Sequence, residues 1–277
     1  MTTVPAFDYE LAADLEAALA AGAQGATFIH GGTELLPAMS MGLLAPSRVV
    51  SLRAVAQLRH CSVTDGHLVL GAGLTHRDVA TDPLIHEHAQ LLAEVANGVG
   101  NIRVRSTGTV GGNLAFAEPR SDVITALLAL DAQVRLATLS ARRELPLKDF
   151  LQGPYEVDLQ PGELITSVAL PVGATNFGIY RKIVRSERPI VGVALTHFTS
   201  GRWRLVVGAV GPEPTLVEAE LLSGFLPAAI ATGADATTDL NGSEAYKRHL
   251  TSVMVERCLH AAEEFMASQA EGGRGDE

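Results

Sequence analysis

The period of apolar and polar positions changes several times along the chain, and each change predicts an element. From Leu11 to Ala21 apolar residues alternate with acidic ones at helical spacing, which predicts a helix. Ala26-Thr27-Phe28-Ile29 reads as a short strand delivering the chain into His30-Gly31-Gly32-Thr33, a strand followed by a glycine turn. Arg48 to Leu52 and His67 to Leu70 predict two further strands. Thr75, with Asp78 three residues on, has the pattern of an N-cap and its acidic partner, so a short helix is expected to start there and stop before Pro83. A longer helix is expected from Leu84 to about Asn97, ended by Gly98 and Gly100.

A second glycine loop, Thr109-Val110-Gly111-Gly112-Asn113, then feeds a helix over Val123 to Leu130 that is apolar on nearly every face, with Pro119 expected in its first turn. Val134 to Ala137 and Arg143 to Leu145 predict a hairpin, and Glu163 to Leu170 a strand closed by Pro171. Gly173-Ala174-Thr175-Asn176 reads as a domain boundary. Beyond it Gly178 to Val184, Val191 to Thr199 and Arg202 to Val210 predict three strands, with Ser200-Gly201 as a tight turn. Helices are expected over Leu216 to Leu222, Pro227 to Thr232 and Ser243 to about Ser268, so this part reads as a small α+β unit. Glu271 to Glu277 is read as a frayed tail.

Composition narrows the function classes. At 277 residues with 47% hydrophobic residues, the chain is long enough for two cores. The 31 acidic against 21 basic residues give a formal charge of −10, which offers no electrostatic support for binding nucleic acid or a membrane surface. Cys61 and Cys258 are the only cysteines, so the chain cannot assemble an iron–sulfur cluster or a zinc site from thiolates within itself. The segment Met1 to Glu10 lacks the basic and apolar regions of a signal peptide, and no apolar run reaches about 18 residues, so cytoplasmic residence is the default expectation. His86 and His88, two apart on a predicted helix, point to different faces and make a poor metal pair.

The chemistry lies in the two glycine pairs. Glycine lets peptide N–H groups approach a ligand with no Cβ in the way, and successive N–H groups in such turns make an anion-binding concavity. A diphosphate needs several donors on both phosphoryl groups, which two loops supply more readily than one, and Thr33, Thr109 and Asn113 add side-chain donors at the same points. Asp122, an acceptor-only carboxylate, suits a ribose hydroxyl; read structurally, it is a first-turn acid favoured by the helix dipole.

Val104-Arg105-Ser106-Thr107-Gly108-Thr109-Val110-Gly111-Gly112-Asn113, Gly31-Gly32-Thr33-Glu34-Leu35-Leu36-Pro37 and Leu127-Leu128-Ala129-Leu130-Asp131-Ala132 together resemble the FAD-binding medium subunit of the molybdenum hydroxylases, relatives of aerobic carbon monoxide dehydrogenase and xanthine dehydrogenase. The likeness continues through Pro161 to Val168, Tyr180-Arg181-Lys182 and Gly208 to Pro214, and so covers almost the whole chain. It implies an α+β fold of the vanillyl-alcohol-oxidase (PCMH) type. An FAD-binding domain over 1–173 would divide into subdomains of about 1–56 and 57–173 with FAD between them. A C-terminal domain over 174–270, with a three-stranded antiparallel sheet and helices, would follow.

The same resemblance implies a cofactor-binding set. Its first segment is Ile29, His30, Gly31, Gly32, Thr33, Glu34 and Leu35. Its second is Val99, Gly100, Gly108, Thr109, Gly111, Gly112, Asn113 and Ala115, and the two glycine loops hold the diphosphate. Ser121 and Asp122 would lie near the ribose and the second loop, and Ile165, Arg181 and Lys182 near the adenine or isoalloxazine rings. No catalytic side chain and no metal ligand is implied. The implied role is an oxidoreductase subunit taking electrons from the [2Fe–2S] clusters of a small subunit, and ultimately from a large molybdopterin-binding subunit. Through FAD they would reach NAD, a quinone or O2, in a complex expected as a dimer of heterotrimers. A free-standing flavin oxidase or dehydrogenase of the same fold and a flavin-free assembly protein are the alternatives.

Three positions depart from the family pattern. His30 stands where relatives often carry alanine, and a protonated imidazole there would assist the diphosphate; the bland reading is that it packs beside the loop. Glu118-Pro119 replaces a common Asp-Pro pair. Arg188-Pro189-Ile190-Val191 offers no aromatic ring where some relatives place one against the flavin.

Overall fold

Strand Arg48–Ser51 runs between Asp8–Leu11 and Thr27–Ile29 in a three-stranded parallel sheet. In this computed structural model the described residues are 6–272; of the tail expected over Glu271 to Glu277, Glu271 and Gly272 end the last helix and 273–277 lie outside the described residues. The described residues up to Glu118 together with Asp131–Val172 form one unit, and Pro119–Leu130 with the residues from Gly173 onward form a second.

In the first unit the helix begins later than the pattern predicts. Asp8–Leu11 is extended because it pairs with Arg48–Ser51, and the Asp14 carboxylate then accepts from the Ala17 N–H to start the helix Leu15–Ala23. That helix buries Ala18 and Leu19 against Val50, Leu52 and Leu58. A five-stranded antiparallel sheet completes the unit, in the order Cys61–Thr64, His67–Gly71, Leu164–Pro171, Gln133–Ala137, Arg142–Pro146. The strand over Cys61–Thr64 is an addition to the predicted set.

The capping box at Thr75 and Asp78 forms as expected and launches the helix His76–Thr81. The single helix predicted from Leu84 is instead two, Pro83–His88 and Gln90–Asn97. Asp82 caps the first through Leu84 and Ile85, and Ala89 leaves the helical region at φ −149° between them. The predicted second glycine loop, Thr109 to Asn113, is instead the cap and start of the helix Val110–Phe116, and a further helix, Ile102–Thr107, precedes it, with Asn101 and Thr109 as side-chain caps.

The second unit is built on a four-stranded antiparallel sheet, Thr175–Arg185, Arg188–Phe198, Trp203–Gly208 and Thr215–Ala219, in sequence order. Four strands replace the expected three because Thr215–Ala219 is extended rather than helical. Its Val217 lies opposite Leu205, so sheet pairing overrides the helical spacing of Leu216 to Leu222. Strand Arg188–Phe198 is buried almost throughout, and its period of two explains why. Val191, Val193 and Leu195 join Met254, Val255 and Cys258 of helix Glu244–Gly272 in one core cluster. From the alternate set Thr196 donates through Oγ1 to the carbonyl of Ala129 at 2.7 Å, and on the next strand Arg204 donates to the carbonyl of Leu128 at 2.9 Å. A Cβ on Gly208 would lie 2.2 Å from Thr125 Oγ1. The buried helix Asp122–Ala129 therefore packs within this unit although in sequence it lies between the two stretches of the first. It starts at the N-cap Ser121, whose Oγ accepts from Ile124 N–H, so Pro119 stands in the turn ahead of it rather than in its first turn.

Candidate functional site

Parallel pairing sends strands Thr27–Ile29 and Arg48–Ser51 out at the same sheet edge, so the segments that follow them are neighbours. Leu52 N–H donates to the carbonyl of Ile29, and Arg53 Nε to the carbonyl of His30 at 3.1 Å. The chain then turns through Gly31 and Gly32 into Leu35–Ser40. Gly32 has φ +70°, a conformation that favours glycine. Gly31 is required for a different reason. A Cβ there would lie 2.0 Å from the carbonyl oxygen of Thr107 and 3.1 Å from Cα of Gly108. The two glycine motifs thus meet backbone to backbone. Among the described residues the main-chain N–H groups of Gly31, Gly32 and Thr33 donate to no protein acceptor. Ile29, Glu34 and Leu35 flank them half-buried.

The second motif is arranged otherwise than the sequence suggests. Val110 N–H donates to the carbonyl of Leu74, Gly111 N–H to Ala72, Gly112 N–H to the Thr109 hydroxyl and Asn113 N–H to the Thr109 carbonyl. The amides expected to cradle a diphosphate here are consumed by the fold, which corrects the picture of two equivalent amide cradles. What Gly108 and Gly111 provide is close packing. A Cβ on Gly111 would lie 2.7 Å from that of Ala72, and one on Gly108 2.9 Å from the Val104 carbonyl and 3.2 Å from the His76 ring. Gly112 and Ala115 are exposed and Asn113 half-buried, so this motif meets its surroundings through them.

Two histidines flank the junction. His76 is buried with Nδ1 unpartnered, and burial lowers its pKa to about 4. His30 Nε2 is likewise buried without a partner, close to where a Cβ on Gly73 would stand, at 3.0 Å. Burial lowers the His30 pKa, and the charges of Arg59 and Arg53 add to that while Asp78 opposes it. Burial and the two arginine charges thus disfavour the protonated imidazole considered from sequence.

The other predicted positions belong to several elements. Val99 and Gly100 offer their carbonyls to Arg105 Nη1 at 2.9 and 3.1 Å, which ties down the turn between two helices. Ile165 is 3% exposed on the central strand of the five-stranded sheet, opposite Leu136, and so is part of the core rather than open to a ring. Ser121, Asp122, Arg181 and Lys182 lie in the second unit. Asp122 is buried, and its two carboxylate oxygens accept from the Tyr180 hydroxyl at 2.5 Å and from Lys182 Nζ at 2.8 Å. The ribose role expected of Asp122 gives way to an internal one. Burial beside this carboxylate raises the Tyr180 pKa well above its usual value. Arg181 is exposed. Of the remaining histidines discussed above, His86 bonds to the carbonyl of Ala80 and His88 pairs with Glu87.

Sequence reasoning missed Arg53, Arg59, His76 and Tyr180. The first two become legible only once strands Thr27–Ile29 and Arg48–Ser51 are known to be parallel, and Tyr180 only from the two-residue period that places it with Lys182 on one side of its strand. Among the described residues no group of three or more His, Cys, Asp or Glu is placed to hold a metal ion, and no helix is long and apolar enough to cross a membrane.

Open amides at Gly31 to Thr33, a glycine contact that a Cβ would fill and a buried unpartnered imidazole nitrogen suit the anionic bridge of a dinucleotide such as FAD. Residues 5–173 match the family described as the FAD binding domain in molybdopterin dehydrogenase. The chain belongs to this family: it is an FAD-carrying oxidoreductase subunit. It is 31% identical over 282 residues to the 6-hydroxypseudooxynicotine dehydrogenase complex subunit alpha of Paenarthrobacter nicotinovorans, covering 93% of this chain and 95% of that one. It is 27% identical to the carbon monoxide dehydrogenase medium chain of Hydrogenophaga pseudoflava, covering 93% and 97%. The fold matches a chain in the crystal structure of quinoline 2-oxidoreductase from Pseudomonas putida 86 with a TM-score of 0.85 and 27% identity, over 95% of this chain and 98% of that one. The α+β FAD-binding fold expected from the resemblance is the fold observed.

Proposed function

We propose that this chain is the electron-transfer subunit of a cytoplasmic molybdenum hydroxylase complex, standing between a small [2Fe–2S] subunit and an external acceptor, with a large molybdopterin-binding subunit completing a heterotrimer that dimerises. FAD, when bound, supplies the redox chemistry, accepting electrons singly and passing them on in pairs. The chain's own residues bind, orient and exclude competing reactions. In this reading Gly31, Gly32 and Thr33 turn their amides to the diphosphate. Gly31 and Gly108 hold the two motifs in contact, and Asp122 fixes Lys182 and Tyr180.

The observation that carries the proposal is the approach of Gly31 to Thr107, because it joins both glycine motifs beside a row of open N–H donors. The relatives named as a complex subunit and a medium chain support the partner assignment. The test is purification of the chain with its natural partners, followed by reduction with candidate substrates and reoxidation by NAD, a quinone or O2. Flavin bleaching only in the presence of the partner subunits is expected. Turnover of a substrate by the chain alone would replace this reading with a free-standing flavin enzyme.

A further inference from the structure

Strand Thr27–Ile29 delivers the chain into the open amides of Gly31 to Thr33, and a backbone contact borders it at each end. Beyond its C-terminal end Gly31 meets Thr107. Ahead of its N-terminal end helix Leu15–Ala23 closes at Gly22, where a Cβ would lie 2.4 Å from Cζ of Phe28 and 3.0 Å from the carbonyl oxygen of Gly162. The contact is mutual, since a Cβ on Gly162 would lie 2.8 Å from the carbonyl oxygen of Gly22. Gly162 sits in a turn closed by the Glu163 N–H on the Gln160 carbonyl at 2.9 Å, with φ +75°. That turn is gripped from the edge strand Arg142–Pro146. Arg143 donates through Nε and Nη2 to the two carboxylate oxygens of Glu163 at 2.8 and 2.7 Å. It also donates through Nη1 to the Asp158 carboxylate and through Nη2 to the Asp158 carbonyl, both at 2.6 Å. Glu163, buried, accepts in addition from the Gln160 N–H at 3.0 Å.

We propose that Arg143 is a positioning residue for the FAD diphosphate loop: by clamping Asp158 and Glu163 it holds the Gly162 turn against Gly22, and so fixes where Thr27–Ile29 releases Gly31 to Thr33. The proposal rests on reading those amides as the diphosphate donors. A planar guanidinium bound to both oxygens of a carboxylate sets direction as well as distance, which a point charge does not. Between Gly162 and Gly22 backbone meets backbone, so no side-chain rotation absorbs a shift of the turn. Packing carries the constraint onward: Leu164, next to Glu163, shares one core cluster with Leu19, Ala26 and Val50, and Phe28 packs against it.

The full-length chain freed of flavin is compared with Arg143→Gln and Glu163→Gln by amide hydrogen exchange and by titration with FAD, read by flavin fluorescence. Exchange is expected to rise about fivefold at Leu36 and Leu52, whose N–H groups donate to Gly32 and Ile29, and to stay unchanged at Ala89, bonded to Ile85 in the same unit. FAD affinity is expected to fall about fivefold, and the double variant to lose no more than either single one. An equal rise at Ala89, or native FAD affinity in both variants, would overturn the positioning role. Riboflavin, which lacks phosphate, bound by the wild-type chain as tightly as FAD would overturn the diphosphate reading instead, with the exchange pattern unaffected. Should both variants melt below the working temperature, Arg143→Lys, which keeps the charge and loses the fork, decides by the same two readouts.

Discussion

Gly31 and Thr107 approach so closely that a single methyl group on the former would stand 2.0 Å from the carbonyl oxygen of the latter. The neighbour is backbone at the end of a short helix, and no rotamer change relieves the overlap. Gly31→Ala is expected to destabilise the chain by about 1–3 kcal/mol through forced backbone displacement. It should also weaken FAD binding, because the shift moves the amides of residues 31–33. Chemical denaturation and flavin fluorescence titration measure the two effects. Native affinity and native stability together would show that the contact is not required.

Asp122 is the hub of a buried polar group in the second unit. Removing its carboxylate leaves Lys182 Nζ and the Tyr180 hydroxyl without their acceptor. Asp122→Ala is expected to cost about 3 kcal/mol, at the low end for a broken buried pair because Lys182 is partly exposed. Tyr180→Phe removes one hydrogen bond and is expected to cost about 1 kcal/mol. A double-mutant cycle reads the coupling, and additive losses would contradict a shared carboxylate.

His76 supplies a pH dependence of defined sign. Its folded pKa is depressed to about 4 from 6.5 by burial, so between those values the unfolded chain binds more protons than the folded one. The stabilisation is fully present above pH 6.5 and is lost as pH falls towards 4, amounting to about 3 kcal/mol for the full shift. His76→Gln is expected to flatten the stability profile in this window, as followed by thermal melts across pH. An unchanged slope would assign the acid sensitivity elsewhere.

Arg204 is buried in the four-stranded sheet, and its guanidinium serves both the Leu128 carbonyl and the Glu218 carboxylate at 2.7 Å. Arg204→Met keeps the aliphatic stem and leaves the end of helix Asp122–Ala129 short of a donor. A loss of about 2 kcal/mol is expected, since a hydrogen bond from a charged donor to a buried carbonyl is then removed. Hydrogen exchange of the helix amides is the direct check, and protection equal to wild type would count against this role.

Most elements were legible because their signals are local. Thr75 with Asp78 names a helix start because a hydroxyl and a carboxylate three residues apart can satisfy each other's backbone amides without help from elsewhere. The failures have non-local causes. Leu216 to Leu222 has helical spacing yet becomes a strand because Trp203–Gly208 presents an edge for it to pair with. Leu11, the first residue of the expected helix, is drawn into a sheet strand in the same way. In the site, the glycines were recognised, but the fate of their amides was not: those of Gly111 and Val110 are taken by Ala72 and Leu74, about 35 or more residues away in sequence.

By itself the sequence determined an α+β chain with two glycine motifs suited to a diphosphate, and it was the resemblance carried by those motifs and their order that implied FAD and the molybdenum hydroxylase family. Tertiary structure alone decided which donors remain free, that Asp122 faces Tyr180 and Lys182, and that Arg53 bonds to the carbonyl of His30. The physical reason is one of range. Motifs encode what a segment can do with its immediate neighbours, whereas hydrogen-bond satisfaction and charge pairing depend on which distant backbone or side chain folding brings alongside.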